Sequence, residues 1–192
     1  KYDIFISAKQ AGINIGVLSA LIQAGALQSY KTKRSRLVLE AQSFNLLTDR
    51  EKRNFIQLGP KFNYDVLNTI KAATQDKILG DDNKRLMADK RFETFKKKYL
   101  KYKEIWEKNR IYEDFANWFF EKKLLGYSYS TKLKSVFSKE KPLMNSYEVE
   151  ASENNDRIYM VGVVNDCFKR RSRNGNQYAK IEMSDELGFL HG

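Results

Sequence analysis

The spacing of apolar residues changes once along this chain, near Gly126. Before that glycine, apolar residues such as Leu18 and Ile22 recur every three or four positions, which is typical of amphipathic helices. After a polar connector, apolar and polar residues alternate, which is typical of strands. We therefore expect a mainly helical α+β protein in three parts: a helical domain at 1–126, a connector at 127–156 and the start of a small β domain at 157–192.

Charge and two residue types restrict the class of protein. The 192 residues include 35 Lys and Arg against 24 Asp and Glu, a formal net charge of +11, which favours a polyanionic partner such as nucleic acid. A single cysteine, Cys167, and a single histidine, His191, exclude a disulfide framework and the usual Cys/His zinc site. No apolar run approaches the roughly 18 residues of a membrane span, so we expect a cytoplasmic protein without a membrane partner.

A cluster of cations with no acid among them follows Gly25. A glycine with positive φ is expected there, closing the preceding helix. Residues 25–36, the first basic segment, contain four cations: Lys31, Lys33, Arg34 and Arg36. They begin a second helix, predicted at about 32–47, whose N-terminus already carries partial positive charge, so the pattern predicts an external anion.

A helix–hairpin–helix that binds the backbone of duplex DNA is one interpretation of the first basic segment. The site would consist of Gly25, Ala26, Leu27, Lys31, Lys33 and Arg34. The alternative is a plain helical corner, because DNA-binding hairpins usually carry two glycines and this one carries a single glycine.

The second basic segment, residues 168–180, lies in a predicted β-hairpin. Asn174-Gly175 is a strong hairpin signal between the strand-like runs RIYMVGVVNDCF and QYAKIEMSDE, and Gly162 is expected to mark a bend or bulge. Such a hairpin is how an OB barrel begins, and OB barrels bind single strands with cations and stacking rings. The single-strand site would consist of Phe168, Lys169, Arg170, Arg171, Arg173, Tyr178 and Lys180. The alternative is an edge hairpin protected by its charges.

Two further patterns indicate a structural role rather than a binding or catalytic one. An aromatic stripe at helical spacing is predicted to form a buried seam rather than a base-stacking surface; it consists of Phe92, Phe95, Tyr99, Tyr102 and Trp106. The pair Asp81-Asp82 precedes a helix and is interpreted as an N-cap rather than a metal-binding pair. The sequence contains no recognisable nucleophile, acid–base pair or nucleotide-binding loop, so we expect no catalytic residue and no metal ligand.

Three segments together resemble the bacterial-type C-family replicative DNA polymerase, the DNA polymerase III alpha subunit. GINIGVLSALIQAGALQSY is similar to its helix–hairpin–helix segment, EKKLLGYSYSTKL to a later leucine–glycine segment, and RIYMVGVVNDCFKRRSRNGNQYAKIEMSDELGFL to the start of its OB domain. The order and rough spacing agree, over less than half of the chain. The family's Gly-His-Pro is missing near Thr131 and Lys132, which indicates a divergent relative, for instance a virus-encoded one.

The resemblance implies a non-catalytic portion of a replicative polymerase that grips template–primer duplex and nearby single-stranded template during DNA replication. The parent would be a DNA-directed DNA polymerase, a nucleotidyltransferase, with its Mg²⁺ and dNTP sites in an upstream palm domain and none in this chain. The OB barrel would be truncated after the start of its third strand. The partners would be duplex and single-stranded DNA, a sliding clamp and other replisome subunits, with a candidate clamp motif at Gln75, Ile78 and Leu79.

A second hypothesis belongs to a different class. The chain could be a self-standing RNA- or single-stranded-DNA-binding protein, or a scaffold protein, with an OB-like barrel. In that case the aromatic helix would be a partner surface. An upstream polymerase palm with a carboxylate triad would support the first hypothesis, and a start codon near Lys1 would support the second.

Overall fold

Helices precede strands along the chain, in the order that the apolar spacing predicts. The structure is a computed structural model that describes residues 1–75, 86–137, 142–153 and 155–191. Its α-helices are α1 (Tyr2–Gln10), α2 (Ile15–Gln23), α3 (Arg34–Asn45), α4 (Asp49–Leu58), α5 (Val66–Ala72), α6 (Asp89–Asn109), α7 (Glu113–Leu125), α8 (Leu133–Phe137) and α9 (Ser146–Glu150). Its strands are β1 (Val163–Arg171), β2 (Gln177–Ser184) and β3 (Phe189–His191). The predicted mainly helical α+β class is confirmed.

The described chain divides into two compact units, Lys1–Glu113 and Asp114–Gly192. We call them the N-terminal unit and the C-terminal unit. The predicted division at 126 and 156 stays a prediction.

Short polar residues determine where the helices of the N-terminal unit begin. The side chain of Asn14 accepts a hydrogen bond from the Val17 N–H at 3.0 Å and caps α2. Thr48 and Glu51 form a reciprocal capping box that begins α4, which satisfies two backbone donors that a helix start otherwise leaves unpaired. Gly59 and the proline that follows it end α4, as the sequence predicts.

Aromatic rings fill the core of the N-terminal unit. The Tyr2 ring lies 5.6, 5.2 and 5.0 Å from the centroids of Phe5, Phe44 and Phe55, within the range in which tilted and edge-on ring pairs attract. The predicted seam on α6 is confirmed for its first three members, Phe92, Phe95 and Tyr99, which are buried. The last two are only partly covered, since Tyr102 is 36% exposed and Trp106 is half-buried.

The C-terminal unit combines one buried tryptophan with buried polar groups. Trp118 and Leu133 are almost fully buried. Glu121 is also fully buried, and its carboxylate accepts hydrogen bonds from the N–H groups of Tyr129 and Ser130 at 2.8 and 3.0 Å. This carboxylate therefore fixes the loop after α7, within the segment EKKLLGYSYSTKL.

The strands form an open antiparallel sheet in the order β1-β2-β3. Gly175 has a φ of +80° in the turn between β1 and β2, as the hairpin signal predicts. The bulge lies between Val164 and Asp166, so the prediction of a bulge at Gly162 is wrong. Gly162 lies before β1, where an added Cβ would stand 3.2 Å from the Ser184 carbonyl oxygen, so close backbone approach explains this glycine. A closed barrel is not formed by these strands.

Candidate nucleic-acid interface

The register of β1 and β2 brings two rings and two cations to one face of the hairpin. Phe168 is paired with Lys180, and Arg170 with Tyr178. Because cross-strand partners and alternate residues share a face, these four side chains lie together, and we call them the aromatic–basic face. The Arg170 guanidinium lies 5.8 Å from the Phe168 ring centroid, a cation–π contact along β1.

The other predicted cations of the hairpin lie elsewhere. Lys169 is paired with Ala179, and Arg171 with Gln177, which places both cations on the opposite face. Arg173 lies in the turn. The structure therefore divides the predicted set into four residues on one face, two on the other and one at the tip.

The hairpin cations are available to an external anion. Among the described residues, Lys169, Arg170, Arg171, Arg173 and Lys180 form no ion pair. No acid occurs between positions 167 and 181. The rings are also accessible, since Phe168 is 38% and Tyr178 53% exposed. Both charge and stacking surface are therefore presented to solvent.

Carboxylates limit the aromatic–basic face away from the turn. Asp166 is paired with Glu182 across the two strands, on the same face as Phe168 and Lys180. A phosphate is repelled there and attracted near the turn. The cationic part of this face is therefore limited to the turn-proximal half of the hairpin.

A buried carboxylate holds the base of the hairpin. Asp185 follows β2 and accepts hydrogen bonds from the Ser146 N–H and Oγ at 2.6 and 2.7 Å, and from the N–H groups of Leu187 and Gly188 at 2.8 and 3.1 Å. Burial raises the pKa of Asp185, but these hydrogen bonds outweigh burial and hold the pKa below its usual value. The contact of Asp185 with Ser146 in α9 was not predicted from the sequence.

The backbone of the first basic segment is already used. Gly25 has a φ of +96°, as predicted, and its N–H donates to the Ile22 carbonyl at 2.9 Å, while the Ala26 N–H donates to the Leu21 carbonyl at 3.0 Å. Both groups therefore close α2 in the manner of a left-handed C-terminal cap. A phosphate cannot also take these two donors, and a 3₁₀ turn at Gln28–Tyr30 separates α2 from α3.

An internal carboxylate occupies the start of α3, where the sequence predicted an external anion. Glu113 accepts a hydrogen bond from the Ser35 N–H at 3.2 Å and another from the Ser35 hydroxyl. Arg34 is buried, and its guanidinium donates to the Gln23 carbonyl at 3.0 Å. Lys31 and Lys33 remain exposed. The structure thus gives Arg34 a partner inside the protein and leaves only two lysines of the proposed duplex site facing solvent.

Part of the candidate clamp motif lies outside the described residues. Gln75, which follows α5, is the last described residue of the first range. Ile78 and Leu79 lie outside the described residues, and so does the pair Asp81-Asp82. Within the described ranges, no group of three or more His, Cys, Asp or Glu residues is placed to hold a metal ion.

Comparison with known proteins gives no relative. No protein-family model, curated protein or solved structure matches this chain. Among the helices that the structure describes, none is long and apolar enough to cross a membrane.

Proposed function

We propose that this chain is a non-catalytic nucleic-acid-binding portion of a replicative DNA polymerase of the DNA polymerase III alpha type. Its aromatic–basic face holds single-stranded template close to the primer terminus. The observation that carries the proposal is the placement of Phe168, Arg170, Tyr178 and Lys180 on one exposed face without acidic partners among the described residues. The order of the three family-like segments supports the polymerase assignment, and the open sheet would be the first part of an OB-type barrel.

The face suits a flexible polyanion because it offers two kinds of contact. Arg170 and Lys180 attract phosphates, while Phe168 and Tyr178 offer rings for bases to stack on. Base–aromatic stacking tolerates any base and contributes about 1 to 3 kcal/mol per base. Two or three phosphate contacts predict that the logarithm of the binding constant falls with the logarithm of salt concentration at a slope of about −2. The proposed binding is therefore tolerant of sequence and sensitive to salt.

A pair of charge-matched variants tests the face directly. Arg170→Gln with Lys180→Gln removes two charges from the aromatic–basic face, and Lys169→Gln with Arg171→Gln removes two from the opposite face. We expect the first variant to lose about tenfold more affinity for an oligo(dT) strand than the second, measured by fluorescence anisotropy at about 0.05 and 0.15 M salt. Tyr178→Ala should lose about tenfold or more at both salt concentrations, because stacking is lost rather than charge.

The same titrations include outcomes against the proposal. Equal losses in the two charge variants, with no loss in Tyr178→Ala, would show diffuse attraction rather than a binding face. An RNA strand of matching sequence is titrated in parallel, since the 2′-hydroxyl distinguishes the two polymers. Clear preference for RNA would favour the self-standing RNA-binding hypothesis over the polymerase.

A further inference from the structure

A lysine occupies a core position of α4. Lys52 precedes Phe55 and Leu58 at three-residue spacing, so it belongs to the buried stripe of that helix. Its side chain is only 6% exposed, although lysines are almost never fully buried without a partner. This spacing is the signal by which the residue could have been found in the sequence.

The Lys52 ammonium meets its acidic partner only near the long end of the ion-pair range. Its contact with Asp49 Oδ1 is 3.6 Å long. The nitrogen also lies 5.6 Å from the Phe44 ring centroid. Burial, followed by the nearby charge of Lys9, lowers the pKa of Lys52. The Asp49 contact is longer than a charge-assisted hydrogen bond, so the three N–H donors of Lys52 would gain from a closer anion.

A second ammonium converges on the same point. Lys9 Nζ lies 2.6 Å from Asp49 Oδ1, the oxygen that Lys52 also contacts. Two lysine nitrogens therefore share one carboxylate oxygen, and charge-assisted hydrogen bonds of this kind also bind phosphate oxygens. Asp49 itself is 66% exposed, so its side chain has room to turn away into solvent.

The two lysines line a surface depression with a third cation. Its walls are formed by Ile6, Lys9, Gln10, Asp49, Lys52 and Arg53. The lining therefore contains three cations and one carboxylate. An anion with two charges would neutralise these cations better than Asp49 alone. A second depression, on the Phe44 side, is also lined by Lys9 and Lys52.

We propose that this depression is a phosphate-binding site, in which a phosphate group displaces Asp49 and accepts hydrogen bonds from Lys9 and Lys52. The site lies in the N-terminal unit and is independent of the function proposed for the hairpin. A phosphate group carries up to two charges and several acceptor oxygens, so it can contact both ammonium groups more closely than Asp49 contacts Lys52. The group could belong to a free polyphosphate or to a nucleic-acid backbone.

Pyrophosphate is the probe, and calorimetric titration of the full chain at constant ionic strength is the measurement. We expect binding to the unaltered chain, and a weakening of at least about fivefold in Lys9→Gln with Arg53→Gln, which removes two exposed cations without disturbing the core. Lys97→Gln with Lys101→Gln removes equal charge from exposed positions of α6 and should leave the affinity unchanged. Arg170→Gln with Lys180→Gln should also leave it unchanged, which separates this site from the hairpin.

Asp49→Asn gives the sharpest prediction because it is a gain of binding. Removing the competing carboxylate should tighten pyrophosphate binding by about threefold or more, since the two lysines lose their resident anion. Competition by an oligonucleotide would identify the source as a nucleic-acid backbone, and lack of competition would identify a small polyphosphate. No binding by the unaltered chain, or equal affinities in the Lys9 and Lys97 variant pairs, would overturn the proposal.

Discussion

The two basic segments of the chain differ in what their polar groups bind. In residues 25–36, the backbone donors close a helix, a buried guanidinium caps that helix, and Glu113 occupies the start of the next one. In residues 168–180, the cations have no acidic partner among the described residues, and two rings lie beside them. The first segment is therefore built into the fold, and the second is presented to solvent.

The position of a buried carboxylate explains the difference. A serine donates its N–H and hydroxyl to one carboxylate in each unit: Ser35, within the first segment, to Glu113, and Ser146, in α9, to Asp185. Glu113 lies at the cations themselves, whereas Asp185 lies at the base of the sheet, beyond the end of β2. Density of positive charge alone does not identify a nucleic-acid site; the position of the internal anion also matters.

Charge reversal should produce the largest contrast between the segments. Arg170→Glu with Lys180→Glu should weaken single-stranded DNA binding by about 100-fold at low salt, because two attractions on the aromatic–basic face become repulsions. Lys31→Glu with Lys33→Glu carries the same change in charge and should cost less than about fivefold. Anisotropy titrations with single-stranded and primed oligonucleotides measure both variants. An equal or greater loss of affinity in the lysine variant would make the first basic segment the main DNA site, and the proposed difference between the two segments would be wrong.

Local signals were sufficient to predict much of the fold. Asn14, Thr48 and Gly25 act within a few residues of themselves, through caps and one positive φ, so their roles are visible in sequence. The same holds for the Asn174-Gly175 turn. Contacts between distant residues were not predictable: Ser35 and Glu113 are 78 positions apart, and Ser146 and Asp185 are 39 apart. Nothing in the local pattern indicates which carboxylate a serine will meet.

The sequence predicted the residues of the candidate interface but not the face of the hairpin on which each one lies. Alternation along β1 and β2 separates Arg170 from Lys169 and Arg171, but both faces of this hairpin are exposed. Without a buried face, alternation does not show which side a ligand uses. The register with Tyr178 and Phe168 supplies that distinction. The sequence could not exclude Arg34 from the proposed duplex site, because its acceptor is a backbone carbonyl, and every residue has one.

We expect the first basic segment, which contributes little to DNA binding, to contribute strongly to the stability of the N-terminal unit. Arg34→Met leaves the Gln23 carbonyl without its buried donor and should lower the free energy of unfolding of the N-terminal unit by about 2 to 3 kcal/mol. Lys33→Met, at the exposed neighbouring position, should change it by less than about 0.5 kcal/mol. Urea unfolding followed by Trp106 fluorescence in a Trp118→Phe background measures this unit alone, since the chain has two tryptophans.

The two Arg34 outcomes distinguish a structural arginine from a ligand. A fall in stability with unchanged DNA affinity is expected. A fall in DNA affinity at a temperature where Arg34→Met remains folded would show that the guanidinium leaves Gln23 to bind phosphate. The first basic segment would then resemble the second.

The smallest effect is expected at the base of the hairpin, and it depends on pH. Asp185→Asn loses the acceptor of the Ser146 N–H and should cost the C-terminal unit about 1 to 2 kcal/mol at pH 7. The folded pKa of Asp185 lies below its unfolded value, so this stabilisation is nearly complete at about pH 5, one unit above the unfolded pKa, and is lost as pH falls through the folded pKa. The difference in unfolding free energy between Asp185→Asn and the unaltered chain should therefore shrink between pH 5 and pH 3, in urea titrations followed by Trp118 fluorescence in a Trp106→Phe background.

Glu150→Gln is the control, an exposed change in the same unit, and it should show no such difference at any of these pH values. A constant Asp185 difference across that range would mean that its carboxylate does not titrate as the hydrogen bonds require, and that the base of the hairpin is held by packing instead.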